Sequence, residues 1–248
     1  MEGHYDRERY LILAKLDKEM IELFKAHGVL LCGGAITSIF TGAKIRDWDL
    51  YFPSEASFTA VREAFIQHGK EQSRTDLAMT YTWKKKQRPF QLIWGVGYFD
   101  DPMKVYDHYD YTICMGGFDF QNDRFFFHED FMKHLAQRRL VFNHKTDFPM
   151  SSLLRSMKYV SRGFFISGVE LLKLAMTINA KKITNYKELR RQMMGIDTAF
   201  LKALTDEWLK PEWSDKAYML EDALQLIDEY MQRISDEVAG TTDEDEAA

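Results

Sequence analysis

The stretch from Gly33 to Tyr51, GGAITSIFTGAKIRDWDLY, joins a double-glycine turn to two carboxylates one residue apart. On a β-strand residues i and i+2 share a face, so Asp47 and Asp49 present their oxygens side by side while Trp48 and Leu50 point the other way. Paired oxygens of that kind suit Mg²⁺, with Mn²⁺ as its substitute. Such a cation takes one or two carboxylates and completes its shell with water and substrate phosphates, the chemistry of nucleotidyl transfer. Ahead of the acids, Val29-Leu30-Leu31-Cys32 reads as a short buried strand ending at Gly33-Gly34, where a chain can turn tightly and let a phosphate approach the backbone. Ala35 to Phe40 fits a short helix whose N-terminal amides favour an anion. The hydroxyls of Thr37 and Ser38 have no assignable histidine partner, so each suits a phosphate contact or a helix cap better than a nucleophile. A plain turn and a solvated acid pair explain either half alone; the ordered whole favours a triphosphate and metal site.

Gly33-Gly34, Gly42 and Asp47-x-Asp49 resemble the nucleotidyltransferase head of the polymerase β superfamily, with spacing most similar to the bacterial-type CCA-adding enzymes and their poly(A) polymerase relatives. Those carry GG-x-V-R-D, a later Gly, then D-x-D. Here Ile36 fills the Val position and Thr37-Ser38 replace Arg-Asp, which removes a charged pair from the nucleotide pocket. A second block, Asp110 to Asp119 (DYTICMGGFD), is similar to the family's R-R-D-F-T-I-N-A, with Asp110, Tyr111 and Thr112 in place and His108-Tyr109 where the double Arg stands. Glu129 to Asn143 resembles the segment closing the head, and Leu154 to Arg162 (LRSMKYVSR) resembles the start of the neck helix. The resemblance covers residues 28 to 166, roughly.

That resemblance implies Mg²⁺-dependent transfer of a nucleoside monophosphate from an NTP to an RNA 3′ hydroxyl, such as a tRNA or tRNA-like end. Asp47 and Asp49 would hold the metals, Gly33, Gly34 and Ser38 would cradle the triphosphate, and Asp110, Thr112, Arg155 and Lys158 would contact sugar or phosphate. The superfamily's third acid projects from a strand beside D-x-D. The strand expected here, Pro89 to Trp94, has Gln91 at its centre, an amide that is neither a carboxylate base nor a strong Mg²⁺ ligand. Asp110 is the substitute if the fold brings it near, which makes it a third catalytic candidate. Where CCA-adding enzymes carry the E-D-x-x-R template that selects CTP and ATP, this chain has Phe148, Pro149 and Ser152, so an ordered C-C-A product is not expected. The same metal site suits nucleotidylation of a protein or small molecule, and an inactive head that binds nucleotide or RNA is the alternative outside catalysis.

Charge distribution adds a polyanion. The net charge is −5, yet residues 124 to 191 hold fourteen Lys and Arg against five Asp and Glu. Affinity for nucleic acid comes mostly from phosphate neutralisation by such side chains. Arg155, Lys158 and Arg162, spaced by three and four, share one helical face and are candidate RNA contacts; plain solvation of that face is the competing reading. No segment reaches 18 uninterrupted apolar residues, which argues against a membrane span, and the N-terminus lacks the basic-then-apolar form of a secretion signal. Cys32 and Cys114 read as reduced core residues of a cytoplasmic protein. The histidines show no zinc-binding spacing.

The expected architecture is α+β: a nucleotidyltransferase head with a short mixed β-sheet, followed by an all-helical neck and body. Its divisions are an N-terminal helix within residues 1–27 packed on the head, a head over 28–146, a helical neck and body over 147–238, and a disordered acidic tail over 239–248. Apolar spacing predicts one helix over residues 6 to 26. Ser54 caps a helix ended by Gly69; Leu77 to Trp83 and Pro89 to Trp94 form a hairpin around the turn Lys84-Lys85-Lys86-Gln87-Arg88. Asn185-x-x-Glu188 reads as a capping box, and a last helix runs from Asp215 to about Val238. The run Phe125-Phe126-Phe127 is a core strand, or a base-stacking face if exposed.

Overall fold

The computed structural model describes residues 5–83, 88–193, 199–208, 210–214, 216–229 and 232. Its elements in chain order are α1 (Asp6–Leu13), α2 (Lys18–Ala26), β1 (Leu30–Cys32), α3 (Gly34–Thr41), β2 (Trp48–Tyr51), α4 (Glu55–His68), β3 (Lys70–Arg74), β4 (Ala78–Thr82), β5 (Phe90–Ile93), β6 (Gly116–Asp119), β7 (Arg124–Phe127), α5 (Phe131–Ala136), β8 (Arg139–Leu140), α6 (Pro149–Val160), β9 (Phe165–Ile166), α7 (Gly168–Ala180), α8 (Tyr186–Gln192) and α9 (Ala199–Glu207). The class is α+β with a mixed sheet, as expected.

Seven strands form one sheet in the order β3-β4-β5-β2-β1-β6-β7. Within this sheet β2 and β5 pair in parallel, an arrangement that needs a long crossover, supplied by α4 with the β3–β4 hairpin; β8 and β9 form a separate parallel pair. β1 lies between β2 and β6, and all three of its residues are buried. A strand covered on both sides must be apolar throughout, which is why Leu30-Leu31-Cys32 shows no alternation. One row of directly opposed residues crosses the sheet: Thr80, Gln91, Asp49, Cys32, Gly117 and Phe126. Opposed residues share a face, so this row places Gln91 beside Asp49.

Helices cover the sheet with closely packed rings. Phe24, from α2, meets Phe65, Phe90 and Phe120 at centroid distances of 6.4, 6.4 and 5.1 Å. Complete burial of such a ring is worth about 1.5–3 kcal/mol. The residues expected to form one helix, 6 to 26, form two. At Lys15 and Leu16 the amides bond three residues back, to Ile12 and Leu13, and Asp17 is extended, so the helix tightens and stops before α2 begins. Arg9 of α1 forms a two-bond ion pair with Asp123 in the β6–β7 turn.

Phe125 and Phe127 are half-buried because Tyr5 packs edge-on against both, at 5.7 and 5.5 Å, with Phe40 beside them. Ser54 caps α4 by accepting from the Ser57 amide at 3.2 Å, and β4 pairs antiparallel with β5. The basic turn at 84–87 lies outside the described residues. Edge strand β3 is fully exposed and polar, so it carries no alternating pattern for sequence reading to detect.

The chain divides into two compact units, Met1–Thr146 with Gly163–Glu170, and Asp147–Arg162 with Leu171–Ala248. The first holds the sheet. The second is helical and centres on Tyr186, Leu189, Leu204, Trp208, Ala223 and Leu226. Asn185 accepts from the Glu188 amide at 2.8 Å, but the Glu188 carboxylate returns to the Thr184 amide and hydroxyl, at 2.8 and 2.9 Å, so the box closes one residue early. Residues 220–229 are helical; the remainder of the expected last helix, apart from residues 216–219 and 232, and the whole acidic tail lie outside the described residues. Among the described residues, no helix is long and apolar enough to cross a membrane.

Candidate active site

The glycine turn is the C-terminal continuation of β1. Gly33 adopts φ +81°, ψ −141°, a conformation essentially reserved for glycine, and its amide donates to the Gly116 carbonyl at 3.1 Å. A β-carbon on Gly33 would stand 2.9 Å from the Tyr109 hydroxyl oxygen and 3.2 Å from Oδ2 of Asp49; one on Gly34 would meet nothing within 4 Å. The turn therefore closes against Asp49 on one side and faces open space on the other. α3 begins there, and Ala35, Ile36 and Ile39 bury its apolar face.

Thr37, standing where the resembled family has arginine, donates its hydroxyl to the Ile113 carbonyl at 2.6 Å. This bond fastens α3 to the 110–119 block, a neutral contact in place of a charged one. Ser38 is buried in the same helix.

Asp49 occupies the middle of β2 and Asp47 immediately precedes that strand; both are half-buried. The same spacing carries on to Tyr51, which sequence reading passed over although residues 47, 49 and 51 alternate toward one face. Tyr51 accepts a hydrogen bond from the Tyr109 hydroxyl at 3.0 Å. Burial pushes the Tyr109 phenol well above its ordinary pKa, and Tyr51, Cys32 and Asp49 push it further, so it remains a neutral donor. Cys32 is likewise pushed up, by burial first and then by Asp49 and Asp119, and its thiol stays protonated. Neither cysteine is in a disulfide.

Gln91 projects from β5 and donates its side-chain amide to Oδ2 of Asp47 at 3.4 Å. Asp110 is buried, and its backbone carbonyl accepts from the Asn143 amide at 2.7 Å. The Thr112 hydroxyl lies 2.8 Å from Nδ1 of buried His134, a residue that no motif or spacing singles out. Burial holds that imidazole below its ordinary pKa. Asp119, the end of the second block, is the last residue of β6 and holds the turn that follows: its carboxylate accepts from the Asn122 amide at 3.0 Å and from Asn122 Nδ2 at 2.7 Å.

Gly33, Asp49 and Asp47 thus stand together, with the 110–119 block attached through Thr37. Arg155 and Lys158 lie half-buried on α6 in the helical unit, and Arg162 follows it, its guanidinium 5.8 Å from the Tyr159 ring centroid. In that same unit Ser152 is buried and donates to the Phe148 carbonyl at 3.1 Å.

Two acids on one strand face, beside a backbone turn with room over Gly34, fit a hard divalent cation whose shell is finished by phosphate and water. Among the described residues no group of three or more His, Cys, Asp or Glu is placed to hold a metal alone.

Solved structures share this fold. A Thermotoga maritima CCA-adding enzyme complexed with tRNA matches with a TM-score of 0.54 and 15% identity, over 86% of this chain and 57% of that one. A CCA-adding enzyme in complex with ATP gives 0.54 and 16%, over 79% and 52%. An apo form of a CCA-adding enzyme gives 0.56 and 13%, over 86% and 57%. At such identities the likeness is one of fold. In sequence, the chain is 36% identical over 193 residues to a protein of Bacillus phage SPbetaL7 named Gabija anti-defense 2, an alignment covering 77% of this chain and 48% of that protein. The chain therefore spans about half the length of that relative. The family model described as Gabija anti-defense 2 family protein matches residues 6–138, more than half of the chain. On a fold similar to that of the nucleotidyltransferase CCA-adding enzymes, this chain belongs to the Gabija anti-defense 2 family.

Proposed function

We propose that this protein counters a Gabija defence as a metal-dependent nucleotidyltransferase, moving a nucleoside monophosphate from an NTP to the 3′ hydroxyl of an RNA, with a tRNA or tRNA-like end as the acceptor class. The observation that carries the reading is the geometry of the glycine turn: it closes against Asp49 at Gly33, has open space over Gly34, and Asp47 stands two residues ahead of Asp49. In this reading Asp47 and Asp49 hold Mg²⁺, or Mn²⁺, which supplies charge neutralisation at the triphosphate and activation of the attacking hydroxyl. The Gly33-Gly34 turn receives phosphate oxygens at the start of α3, where the Gly33 amide is held by the Gly116 carbonyl and Gly34 leaves the space, with Ser38 in the same helix. Asp110 and Thr112 contribute to sugar or phosphate contacts, and Arg155, Lys158 and Arg162 neutralise RNA phosphates. A head over residues 28–146 and a helical neck and body over 147–238 divide these tasks, in the cytoplasm of the host.

A second reading is favoured by the family itself. An anti-defence protein is served equally by nucleotidylation of a protein component of the defence, and the same acid pair suits a protein hydroxyl.

The test is incubation of the pure protein with each labelled NTP, Mg²⁺ and total RNA, then with the defence proteins, with products separated by size. RNA lengthened by one or a few nucleotides is the expected result. Label on a defence protein supports the second reading instead, and absence of label from both, with no NTP-dependent rise in melting temperature, would end both.

A further inference from the structure

Gln91 occupies the strand position next to the acid pair, and its surroundings explain a neutral residue there. It stands in register between Asp49 on β2 and Thr80 on β4, on the polar face of the row that crosses the sheet. Its neighbours along β5, Phe90, Leu92 and Ile93, are buried, while Gln91 itself is half-buried and turned toward the acids. Its Nε2 reaches Oδ2 of Asp47, which stands immediately ahead of β2. A third anion at position 91 would repel Asp47 in the absence of metal. A donor on Oδ2 instead stabilises the charge and sets the direction of the whole carboxyl group.

We infer that Gln91 is a positioning residue for Asp47: its side-chain amide orients that carboxylate for metal without adding an anion of its own. The inference rests on the metal-site reading above. Hydrogen-bond partners of ligating groups typically matter by about 10–100-fold in metal affinity or activity, although they touch no metal. The two properties of residue 91, donor and neutral, separate in two substitutions. Gln91→Met keeps length and volume and deletes the donor. Gln91→Glu deletes the donor and adds an anionic oxygen within reach of the same cation.

The experiment is Mn²⁺ binding to the full chain, followed by calorimetry, for the wild type, Q91M, Q91E and D47N, with melting temperature in metal-free buffer as the measure of folding. Q91M is expected to bind Mn²⁺ about 10–100-fold more weakly at a nearly unchanged metal-free melting temperature. Q91E is expected to bind more tightly than the wild type. Where transfer is measurable, Q91M should lower kcat more than it raises the KM for NTP, since orientation is needed most in the transition state. Wild-type affinity in Q91M would overturn the positioning role while leaving the metal site standing. Should Q91M fail to fold, Gln91→Leu, which also deletes the donor without adding charge, takes its place, and wild-type affinity in that variant overturns the inference. Failure of the wild type to bind Mn²⁺ any better than D47N would instead remove the metal reading, and this inference with it.

Discussion

The α-carbon of Gly33 faces the Tyr109 hydroxyl so closely that a methyl group there would stand 2.9 Å from the oxygen. Backbone angle and space both exclude a side chain. Gly33→Ala should therefore destabilise the protein by about 1–3 kcal/mol from the backbone alone. Displacement of Tyr109 or Asp49 would add to that loss. Chemical denaturation compares the variant with Gly34→Ala, whose added methyl meets open space; equal losses at the two glycines would contradict the assignment.

Asp47→Asn and Asp49→Asn should each abolish transfer while leaving the fold intact. Each keeps its volume and loses the charge that a cation needs. Labelled-NTP incorporation, read beside far-ultraviolet circular dichroism, checks both; a near-wild-type rate in either variant refutes a two-carboxylate mechanism.

Nucleotide addition should not follow an ordered C-C-A pattern. The positions of the base-reading template hold Phe148, Pro149 and Ser152; Pro149 and Ser152 are buried, and the serine hydroxyl is committed to a backbone carbonyl. Discrimination by a pocket without matching donors and acceptors is modest. Sequencing of the added nucleotides decides, and a faithful CCA end would show another reader of the base.

RNA affinity should fall steeply with salt. Replacing Lys158 and Arg162 by Ala should reduce the log–log slope by about 0.7 for each lost contact to a single strand. Binding measured across a salt series tests this, and identical slopes would assign the helix face to solvation.

Acid should weaken the fold through His134. Burial lowers its pKa in the folded chain, so below the ordinary value of about 6.5 the unfolded chain takes up more protons than the folded one. Stability then rises with pH through that window and levels off above it. Denaturation midpoints at pH 5 and 7.5 should differ less in His134→Gln than in the wild type; equal differences would exclude this residue as a source.

Sequence reading reached the elements whose local chemistry is self-contained. The glycine turn, the D-x-D spacing and the Ser54 cap each depend on a few adjacent residues, and each stands where the pattern puts it. What escaped depends on distant partners. Tyr109 looked like a lost arginine until β2 brought Tyr51 to it, and Thr37 like a lost charge until Ile113 supplied its acceptor. His134 lies 22 residues from Thr112, and no periodicity relates them. The break at residues 14–17 was missed because Leu13, Leu16 and Met20 keep helical spacing across it; periodicity records which side chains are buried, not whether the backbone between them is continuous.

The position of β1 has a consequence in time. Its partner β2 follows within about twenty residues, whereas β6 pairs Gly117 with Cys32 only after roughly sixty-five more have been made. Closing so long a loop slows folding more than it reduces stability. During synthesis the acid pair can form on its strand well before the Gly116 carbonyl arrives to hold the glycine turn. A nascent or truncated chain ending near residue 100 would thus carry both carboxylates without the strand that anchors the turn, so the assembled pocket should be a property of the finished sheet, acquired late.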